Sequence, residues 1–202
     1  MPLYDFLAPA YDLAFHSTFL PYRTRALRML PALAGATVLD LACGSGQNFP
    51  LLRERIGREG KIIGVDISSG MLRRAGRRAN SRGGSSALLV RADAAQAGSF
   101  TLPPVDLVVC TYGFTSMRDW ESAFHASWAL LKPGGGYLIH DIHAAQRTFY
   151  SRAVELVTHS HFSFPVWKPL QAACDDFRMD YIDPSAHLFG GRLFAAYGTK
   201  PN

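Results

Sequence analysis

The chain has 202 residues, of which 48% are hydrophobic, 12% aromatic and only 18% charged. A typical soluble domain carries about 25% charged residues, so this composition excludes a disordered chain and predicts one globular domain with a full core. Basic residues outnumber acidic ones by 21 to 16, and the net charge of +5 gives a mild, unspecific attraction to anionic partners.

The first part of the chain is predicted to be helical. Apolar residues recur at helical spacing between Tyr4 and Ala14, and Pro9 fits the first turn of a short helix. A second helix is predicted from Pro21 to Leu33, before Gly35 ends the pattern.

From residue 37 onward, short apolar runs alternate with amphipathic segments. The predicted strands are Thr37–Leu41, Lys61–Val65, Ala87–Val90, Val105–Cys110 and Tyr137–His140. The predicted helices between them are Asn48–Ile56, Ser69–Asn80 and Asp119–Leu131. Strands that are separated by single helices indicate right-handed crossovers and a mostly parallel sheet.

The C-terminal segment has a different pattern. Phe177, Met179 and Tyr181 alternate with polar residues, and Leu193 to Gly198 forms a second run after a glycine pair. This pattern is typical of a hairpin. We therefore expect a single α/β domain with a doubly wound, mostly parallel, seven-stranded sheet whose last strand is antiparallel.

The three cysteines, Cys43, Cys110 and Cys174, predict neither a disulfide framework nor a zinc site, because their number is odd and no C-x-x-C spacing occurs. No metal is expected. The N-terminus lacks the basic and apolar regions of a signal peptide, and no run reaches the roughly 18 apolar residues of a membrane span. The expected location is the cytoplasm.

A glycine turn follows the first predicted strand. Gly44 and Gly46 lie between that strand and a helix, and Asp66 ends the next strand, twenty residues beyond Gly46. A turn and an acid in this order are the general arrangement for a nucleotide-bearing cofactor at the carboxyl edge of a parallel sheet, where the acid binds ribose hydroxyls.

Two classes of nucleotide cofactor fit such a turn, and the neighbouring residues discriminate between them. The dinucleotide fingerprint needs a third glycine, where this chain has the bulky Phe49. Asp40, four positions before Gly44, would also repel a pyrophosphate. An acid at that place suits a cationic sulfonium ligand instead.

The pattern Asp40-x-Ala42-x-Gly44-x-Gly46 resembles motif I of the class I S-adenosylmethionine-dependent methyltransferases, with Ala42 at the position of the first glycine. Four further segments resemble that family in the same order: GVDISSGML, RADAA, VDLVVCTYGF and LLKPGGGYLIHD. The runs YDFLAPAYD and GQNFPLL resemble a subset near the quinone C-methyltransferases and the bacterial phospholipid N-methyltransferases. Substrate identity does not follow, because one scaffold hosts many acceptors.

The resemblance implies a Rossmann-like methyltransferase fold and S-adenosylmethionine as the cofactor. Asp66 would bind the ribose, Asp93 beside Ala94 the adenine amino group, and Asp40 would orient the methionine ammonium directly or through the loop. The simpler interpretations are a helix cap for Asp66, a turn residue for Asp93 and a structural acceptor for Asp40. The other implied cofactor contacts are Tyr11, Ala42, Cys43, Gly44, Gly46, Asn48, Ile67, Met71 and Cys110.

Methyl transfer from a sulfonium mainly requires that two reactants are positioned and water is excluded. A general base helps if the acceptor is a protonated amine or a hydroxyl. The candidates at the carboxyl edge are His140, Asp141 and His143, which leave the fifth strand, and Tyr112, which leaves the fourth. His143 is the predicted base, although it could instead pack or cap the strand end. Tyr11 is expected on a helical lid, residues 1–33, with its ring near the sulfonium.

The predicted cofactor-binding core spans residues 34–141, and residues 142–202 form a substrate-side insertion and the hairpin. The insertion is rich in aromatic side chains: Phe149, Tyr150, His159, His161, Phe162, Phe164 and Trp167. These residues could line a pocket for a flat or hydrophobic acceptor, or they could cover the edge of the sheet.

The expected activity is methyl transfer to an N, O or C atom of a small, fairly hydrophobic, quinone-, lipid- or natural-product-like acceptor. Aminocarboxypropyl transfer, cyclisation of the cofactor and a non-catalytic binding module are the alternatives, because motif I identifies only the ligand. No nucleic-acid partner is expected, and the chain should be a monomer or homodimer. A basic stripe is interpreted as a solvated face, with contact to an anionic membrane as the alternative: Arg73, Arg74, Arg77, Arg78 and Arg82.

Overall fold

The computed structural model describes residues 18–81, 87–99, 102–146, 148–158, 160–183, 187–188 and 190–202. Its helices are α1 (18–27), α2 (Phe49–Ile56), α3 (Ser69–Ala79), α4 (Trp120–Leu130), α5 (Phe149–Thr158) and α6 (Lys168–Ala173). Its strands are β1 (Thr37–Leu41), β2 (Lys61–Asp66), β3 (Ala87–Arg91), β4 (Val105–Thr111), β5 (Leu131–His143), β6 (Arg178–Tyr181), β7 (His187–Leu188) and β8 (Gly191–Thr199). None of the helices in this part of the chain is long and apolar enough to cross a membrane.

The strands form one sheet in the order β3-β2-β1-β4-β5-β8-β6, and β7 pairs with β8. Strands β1 to β5 are parallel, whereas β8 is antiparallel to both β5 and β6. The predicted doubly wound sheet with an antiparallel last strand is confirmed, with the two-residue β7 in addition. Because the chain order reverses between β1 and β4, a crevice opens at the carboxyl ends of these two strands.

Two apolar layers cover the sheet. Helices α1, α2 and α3 pack on one face, where Val38 of β1 is buried, and α4 and α6 pack on the other face, where Leu39 is buried. Adjacent residues of a strand point to opposite faces, so a strand that is covered on both sides must be apolar throughout. This requirement explains the continuous apolar runs of β1 and β4.

Several boundaries differ from the predicted ones. The helix predicted from Pro21 to Leu33 ends at residue 27, because the residue before Pro31 disfavours the helical conformation. The fifth strand begins at Leu131, directly after α4, and not at Tyr137. Its glycine-rich start includes Gly134 in a left-handed conformation with φ 71° and pairs with the chain end: the Gly134 amide donates to the Lys200 carbonyl, and the Lys200 amide donates to the Gly135 carbonyl. The last strand also lies between β5 and β6, so β6 forms the edge of the sheet.

Candidate active site

A cavity of about 430 Å³ lies at the carboxyl edge of the sheet, around the crevice between β1 and β4. Its lining comes mainly from the residues that follow each parallel strand. These are residues 42–45 after β1, 66–68 at the end of β2, 92–95 after β3, 112–113 after β4 and 141–142 of β5. The cavity therefore depends on the sheet order and not on any single segment.

The turn after β1 uses left-handed backbone at three positions. Ala42 has φ 53°, Gly44 φ 54° and Gly46 φ 75°. A Cβ atom on Gly44 would meet nothing within 4 Å, whereas a Cβ on Gly46 would lie 2.7 Å from ring carbons of Phe49. Gly44 lines the cavity, and Gly46 instead makes room for the first residue of α2.

Asp66 connects the turn after β1 to the loop after β2. Its carboxylate accepts hydrogen bonds from the backbone amides of Gly44 and Ser68, each at 2.8 Å. The Ser68 hydroxyl in turn accepts from the Met71 amide and caps α3. The backbone thus fixes the position of a carboxylate that lines the cavity.

The loop after β3 and the start of α3 supply a second wall. The carboxylate of Asp93 accepts a hydrogen bond from the Ala95 amide at 3.1 Å. Ile67 is 49% exposed although it is apolar, and it lines the cavity together with Ala94 and Met71. A carboxylate beside open apolar surface is suited to a flat heteroaromatic ring that carries an amino group.

A buried polar network lies behind the glycine turn. The amide nitrogen of Asn48 donates to Asp40 at 2.7 Å and to Thr111 at 3.1 Å, and the Arg23 guanidinium donates to Asn48 at 2.7 Å and also to Thr111. Burial raises the pKa of Asp40 to about 7, against the effects of the Asn48 hydrogen bond and the Arg23 charge. Arg23 lines the cavity, whereas Asp40 lies outside the lining and accepts a hydrogen bond from Asn48.

Tyr112 follows β4 and contacts β5 at two points. Its backbone amide donates to the His140 carbonyl at 2.7 Å, and its hydroxyl lies 2.6 Å from Nε2 of His140. Nδ1 of His140 lies 2.7 Å from the carbonyl oxygen of Phe194, which can only accept a hydrogen bond. The proton is therefore assigned to Nδ1, and Nε2 accepts the Tyr112 hydroxyl. Burial lowers the pKa of His140 to about 3, so the ring is neutral.

The far end of the cavity contains a buried carboxylate among apolar side chains. Asp141 accepts hydrogen bonds from the Thr115 hydroxyl at 2.7 Å, the Thr115 amide at 3.2 Å and the Ile142 amide at 2.8 Å. Burial raises its pKa to about 6 against these hydrogen bonds. Phe19 and Phe162 line the cavity as well, and Arg118 and Asp119 add further charged residues to the lining.

The structure brings most of the predicted site residues together. The predicted residues that line the cavity are Ala42, Cys43, Gly44, Asp66, Ile67, Met71, Asp93, Ala94 and Tyr112. Those outside the lining are Asp40, Gly46, Asn48, Cys110 and His143. Tyr11 lies outside the described residues. Burial raises the pKa of the Cys43 thiol well above its ordinary value, as expected for a packing residue.

His143, the predicted base, lies away from the cavity. Its ring packs edge-on against Trp167 with the ring centroids 4.6 Å apart, and partial burial lowers its pKa. Its side chain belongs to the layer that contains α6, whereas the cavity opens toward α1. The geometry therefore removes the reason for choosing His143.

Most of the described aromatic residues of the predicted insertion lie outside the cavity lining. Phe162 lines the cavity, but Phe149 and Tyr150 are 89% and 58% exposed on α5. Phe164 stacks near Trp120, and His159 lies outside the described residues. The interpretation of this segment as an acceptor pocket is thus limited to Phe162 and its neighbours.

Arg23 is the main site residue that was not predicted. It shares the buried stripe of α1 with Phe19, Ala26 and Leu27, at spacings of three and four residues. A charged residue on an apolar helix face is a signal that could have identified it. In the described parts of the chain, no group of three or more metal-binding side chains comes together.

Known proteins resemble this chain in both sequence and fold. The sequence model of a family described as "Methyltransferase domain" matches residues 38–135. The 2-phytyl-1,4-naphtoquinone methyltransferase of Synechococcus elongatus is 34% identical over 194 residues, which are 93% of this chain and 80% of the relative. The ubiquinone/menaquinone biosynthesis C-methyltransferase UbiE of Xanthomonas campestris is 32% identical over 136 residues, 65% of this chain. The match spans only about half, 51%, of that relative.

The fold has a counterpart among solved structures. The methyltransferase in a Haloferax volcanii complex with the Trm112 methyltransferase activator matches with a TM-score of 0.74 at 19% identity, over 98% of each chain. The chain belongs to the class I S-adenosylmethionine-dependent methyltransferase family, as its motifs predicted. The two sequence relatives are themselves named as methyltransferases of quinones.

Proposed function

We propose that the chain binds S-adenosylmethionine in the cavity and transfers its methyl group to a small, flat, hydrophobic acceptor of quinone-like chemistry. One observation carries the proposal. A single cavity joins a half that is rich in backbone turns and carboxylates to a half that is lined by Phe19, Tyr112, Phe162 and Asp141.

The carboxylate-rich half suits the cofactor. Asp66 and Asp93 line it, and these carboxylates favour a cationic sulfonium and disfavour a diphosphate. Asp66 is suited to the ribose hydroxyls, while Asp93 and Ile67 are suited to the adenine ring. The buried guanidinium of Arg23 is a complement for the carboxylate at the methionine end.

The aromatic half suits the acceptor. Phe19 and Phe162 offer apolar surface for a flat ring, and relatives of the chain are named as methyltransferases of quinones. When bound, the sulfonium supplies an activated methyl group. The residues of the chain then have to align the acceptor carbon or oxygen with that methyl group and exclude water.

Asp141 replaces His143 as the proposed general base. Methyl transfer breaks the carbon–sulfur bond, leaves the electron pair on sulfur and forms a bond from the acceptor atom to the methyl carbon. The proton that the acceptor loses goes to the Asp141 carboxylate. A pKa of about 6 keeps this carboxylate mostly ionised at neutral pH yet basic enough to accept a proton.

Calorimetry and a methyl-transfer assay test the proposal. We expect S-adenosylmethionine to bind and Asp66→Asn to weaken binding by tenfold or more, about the loss of one charge-assisted hydrogen bond. Asp180→Asn, the same change at an exposed position of β6, should leave binding unchanged. Tight binding of a nicotinamide or flavin dinucleotide with no heat from S-adenosylmethionine would refute the cofactor assignment.

The products distinguish the remaining chemistries. Incubation with a demethylated quinol and methyl-labelled cofactor should give labelled quinol and S-adenosylhomocysteine. Methylthioadenosine would instead indicate aminocarboxypropyl transfer or cyclisation. Asp141→Asn should reduce methyl transfer at neutral pH without weakening cofactor binding, since its carboxylate lies at the acceptor end.

A further inference from the structure

Tyr112 has an unusual backbone conformation and contacts one residue, His140, at two points. Its φ of 56° lies in the left-handed region, which costs a non-glycine residue about 1–2 kcal/mol. Both its amide and its hydroxyl contact His140, the former through the carbonyl oxygen and the latter through the ring. Such strain persists only where the surroundings determine the conformation, and it concentrates at functional sites.

His140 offers Tyr112 only an acceptor. The ring is fully buried, and the Phe194 carbonyl of β8 fixes the proton on Nδ1. The guanidinium of Arg23, 5.0 Å from the centroid of the Tyr112 ring, adds a positive charge that opposes protonation of the imidazole. The Tyr112 hydroxyl therefore donates its proton toward a neutral ring.

Tyr112 lies where the two halves of the cavity meet. The next residue is Gly113, at which a Cβ atom would lie 2.8 Å from the Cβ of Ala42 in the glycine turn. On the other side, Asp141 directly follows His140 in β5, and the Phe19 ring lies 4.8 Å from the Tyr112 ring between centroids. Tyr112 lines the cavity, whereas His140 does not.

We infer that His140 is a positioning residue for methyl transfer: it binds the Tyr112 hydroxyl outside the cavity and directs the ring of Tyr112 to the place where cofactor and acceptor meet. The inference rests on the proposed function. A fixed aromatic face there sets the approach of a flat acceptor, and the hydroxyl of Tyr112 is kept from competing with the acceptor for the methyl group.

Two neutral substitutions of His140 separate its two hydrogen bonds. In His140→Gln, the side-chain carbonyl reaches the place of Nε2 and can still accept from Tyr112. In His140→Asn, the shorter amide reaches only the place of Nδ1 and can still donate to the Phe194 carbonyl. Both variants bury one amide, so a merely structural role predicts similar losses for the two.

We expect His140→Gln to keep kcat within about threefold and His140→Asn to lower it by ten- to a hundredfold, the range for a small misplacement of reacting groups. Tyr112→Phe should lower kcat as His140→Asn does. The dissociation constant of S-adenosylmethionine, measured by calorimetry, should change by less than about threefold in all three variants, because the cofactor half is untouched.

A double-mutant cycle provides the control. Tyr112→Phe removes the hydroxyl that His140 binds. In that background, His140→Gln and His140→Asn should therefore have the same kcat. Equal losses of kcat in His140→Gln and His140→Asn, or a difference that persists without the hydroxyl, would overturn the inference. If His140→Asn does not fold, Tyr112→Phe decides, and unchanged kcat in that variant overturns the inference as well.

Failure of the proposed function gives a different result. Wild-type protein that takes up no S-adenosylmethionine, or that binds it and methylates no quinol, contradicts the proposed function itself. Wild-type protein that binds and methylates, with no difference between the two His140 variants, contradicts only the positioning role.

Discussion

Asp40 allows a quantitative test of the buried network behind the cavity. Burial raises the pKa of this carboxyl from 3.8 to about 7 in the folded chain, although Asn48 and Arg23 oppose the change. Between pH 3.8 and about pH 7, Asp40 keeps its proton in the folded state and has lost it in the unfolded state. The stabilisation from this proton is complete below about pH 4 and is lost as the pH rises through 7.

The size of the effect follows from the two pKa values. The difference between 3.8 and about 7, at 1.36 kcal/mol per pH unit, corresponds to about 4 kcal/mol. Asp40→Asn keeps the size and a hydrogen-bonding oxygen for Asn48 but has no charge at any pH. We expect the variant to gain stability relative to wild type by up to about 4 kcal/mol between pH 4 and pH 8.

Urea unfolding followed by tryptophan fluorescence at a series of pH values measures this difference. Other buried groups titrate in both proteins, so their contributions cancel when wild type is subtracted from the variant. Asp180→Asn, at an exposed position of β6, is the matched control and should not show the gain in stability that is expected of Asp40→Asn. A difference between Asp40→Asn and wild type that stays constant across this range would mean that Arg23 keeps Asp40 ionised, and the reasoning from burial would be refuted.

Two further predictions concern stability. The pKa of His140 falls from 6.5 to about 3 on folding, so its neutral ring stabilises the fold above pH 6.5 and this contribution is lost as the pH falls toward 3. In urea unfolding, the free energy of unfolding of His140→Gln should therefore fall less between pH 6.5 and pH 3 than that of wild type. An equal fall in the two proteins would contradict a buried neutral ring. Gly44→Ala should cost about 1–2 kcal/mol for its left-handed backbone. Gly46→Ala should lower the free energy of unfolding by about 1–3 kcal/mol more than Gly44→Ala does, because its Cβ would meet the Phe49 ring. Equal shifts of the urea midpoints in the two variants would contradict this account.

The strands and the glycine turn could be predicted because their causes are local. Strands β1 and β4 are covered on both faces, so each is a continuous apolar run, and the acid that follows such a run reaches the carboxyl edge of any parallel sheet. Asp66 and Asp93, which follow β2 and β3, both line the cavity for this reason. Their positions also depend on the strand order β3-β2-β1-β4-β5, in which β2 and β3 are neighbours.

The network of Arg23 could not be predicted in the same way. Arg23 contacts Asn48 and Thr111, which are 25 and 88 positions away in the chain. These contacts exist because α1 packs beside the ends of β1 and β4. Nothing in the sequence near α1 specifies that location.

The sequence could not distinguish the two histidines of β5 for a related reason. His140 and His143 are three residues apart, so the alternation of a strand sends them to opposite faces of the sheet. The face of His140 carries α1 and Tyr112, and the face of His143 carries Trp167 of the segment before α6. The sequence does not show which face of the sheet α1 covers. It therefore does not show which of the two histidines lies on the side of the cavity.

Phe49 stands where the dinucleotide fingerprint has its third glycine, and glycines elsewhere in the chain permit the close packing of helix and strand. In the dinucleotide fingerprint, the third glycine lets the helix approach the strand closely. Here the helix carries Phe49, which is 1% exposed, and the space for its ring comes from Gly46 in the turn and Gly64 in β2. A Cβ on Gly64 would lie 3.0 Å from the Phe49 ring. The glycine that permits close packing has thus moved from the helix to the strand, and the turn keeps Gly44 as the small residue that faces the cavity.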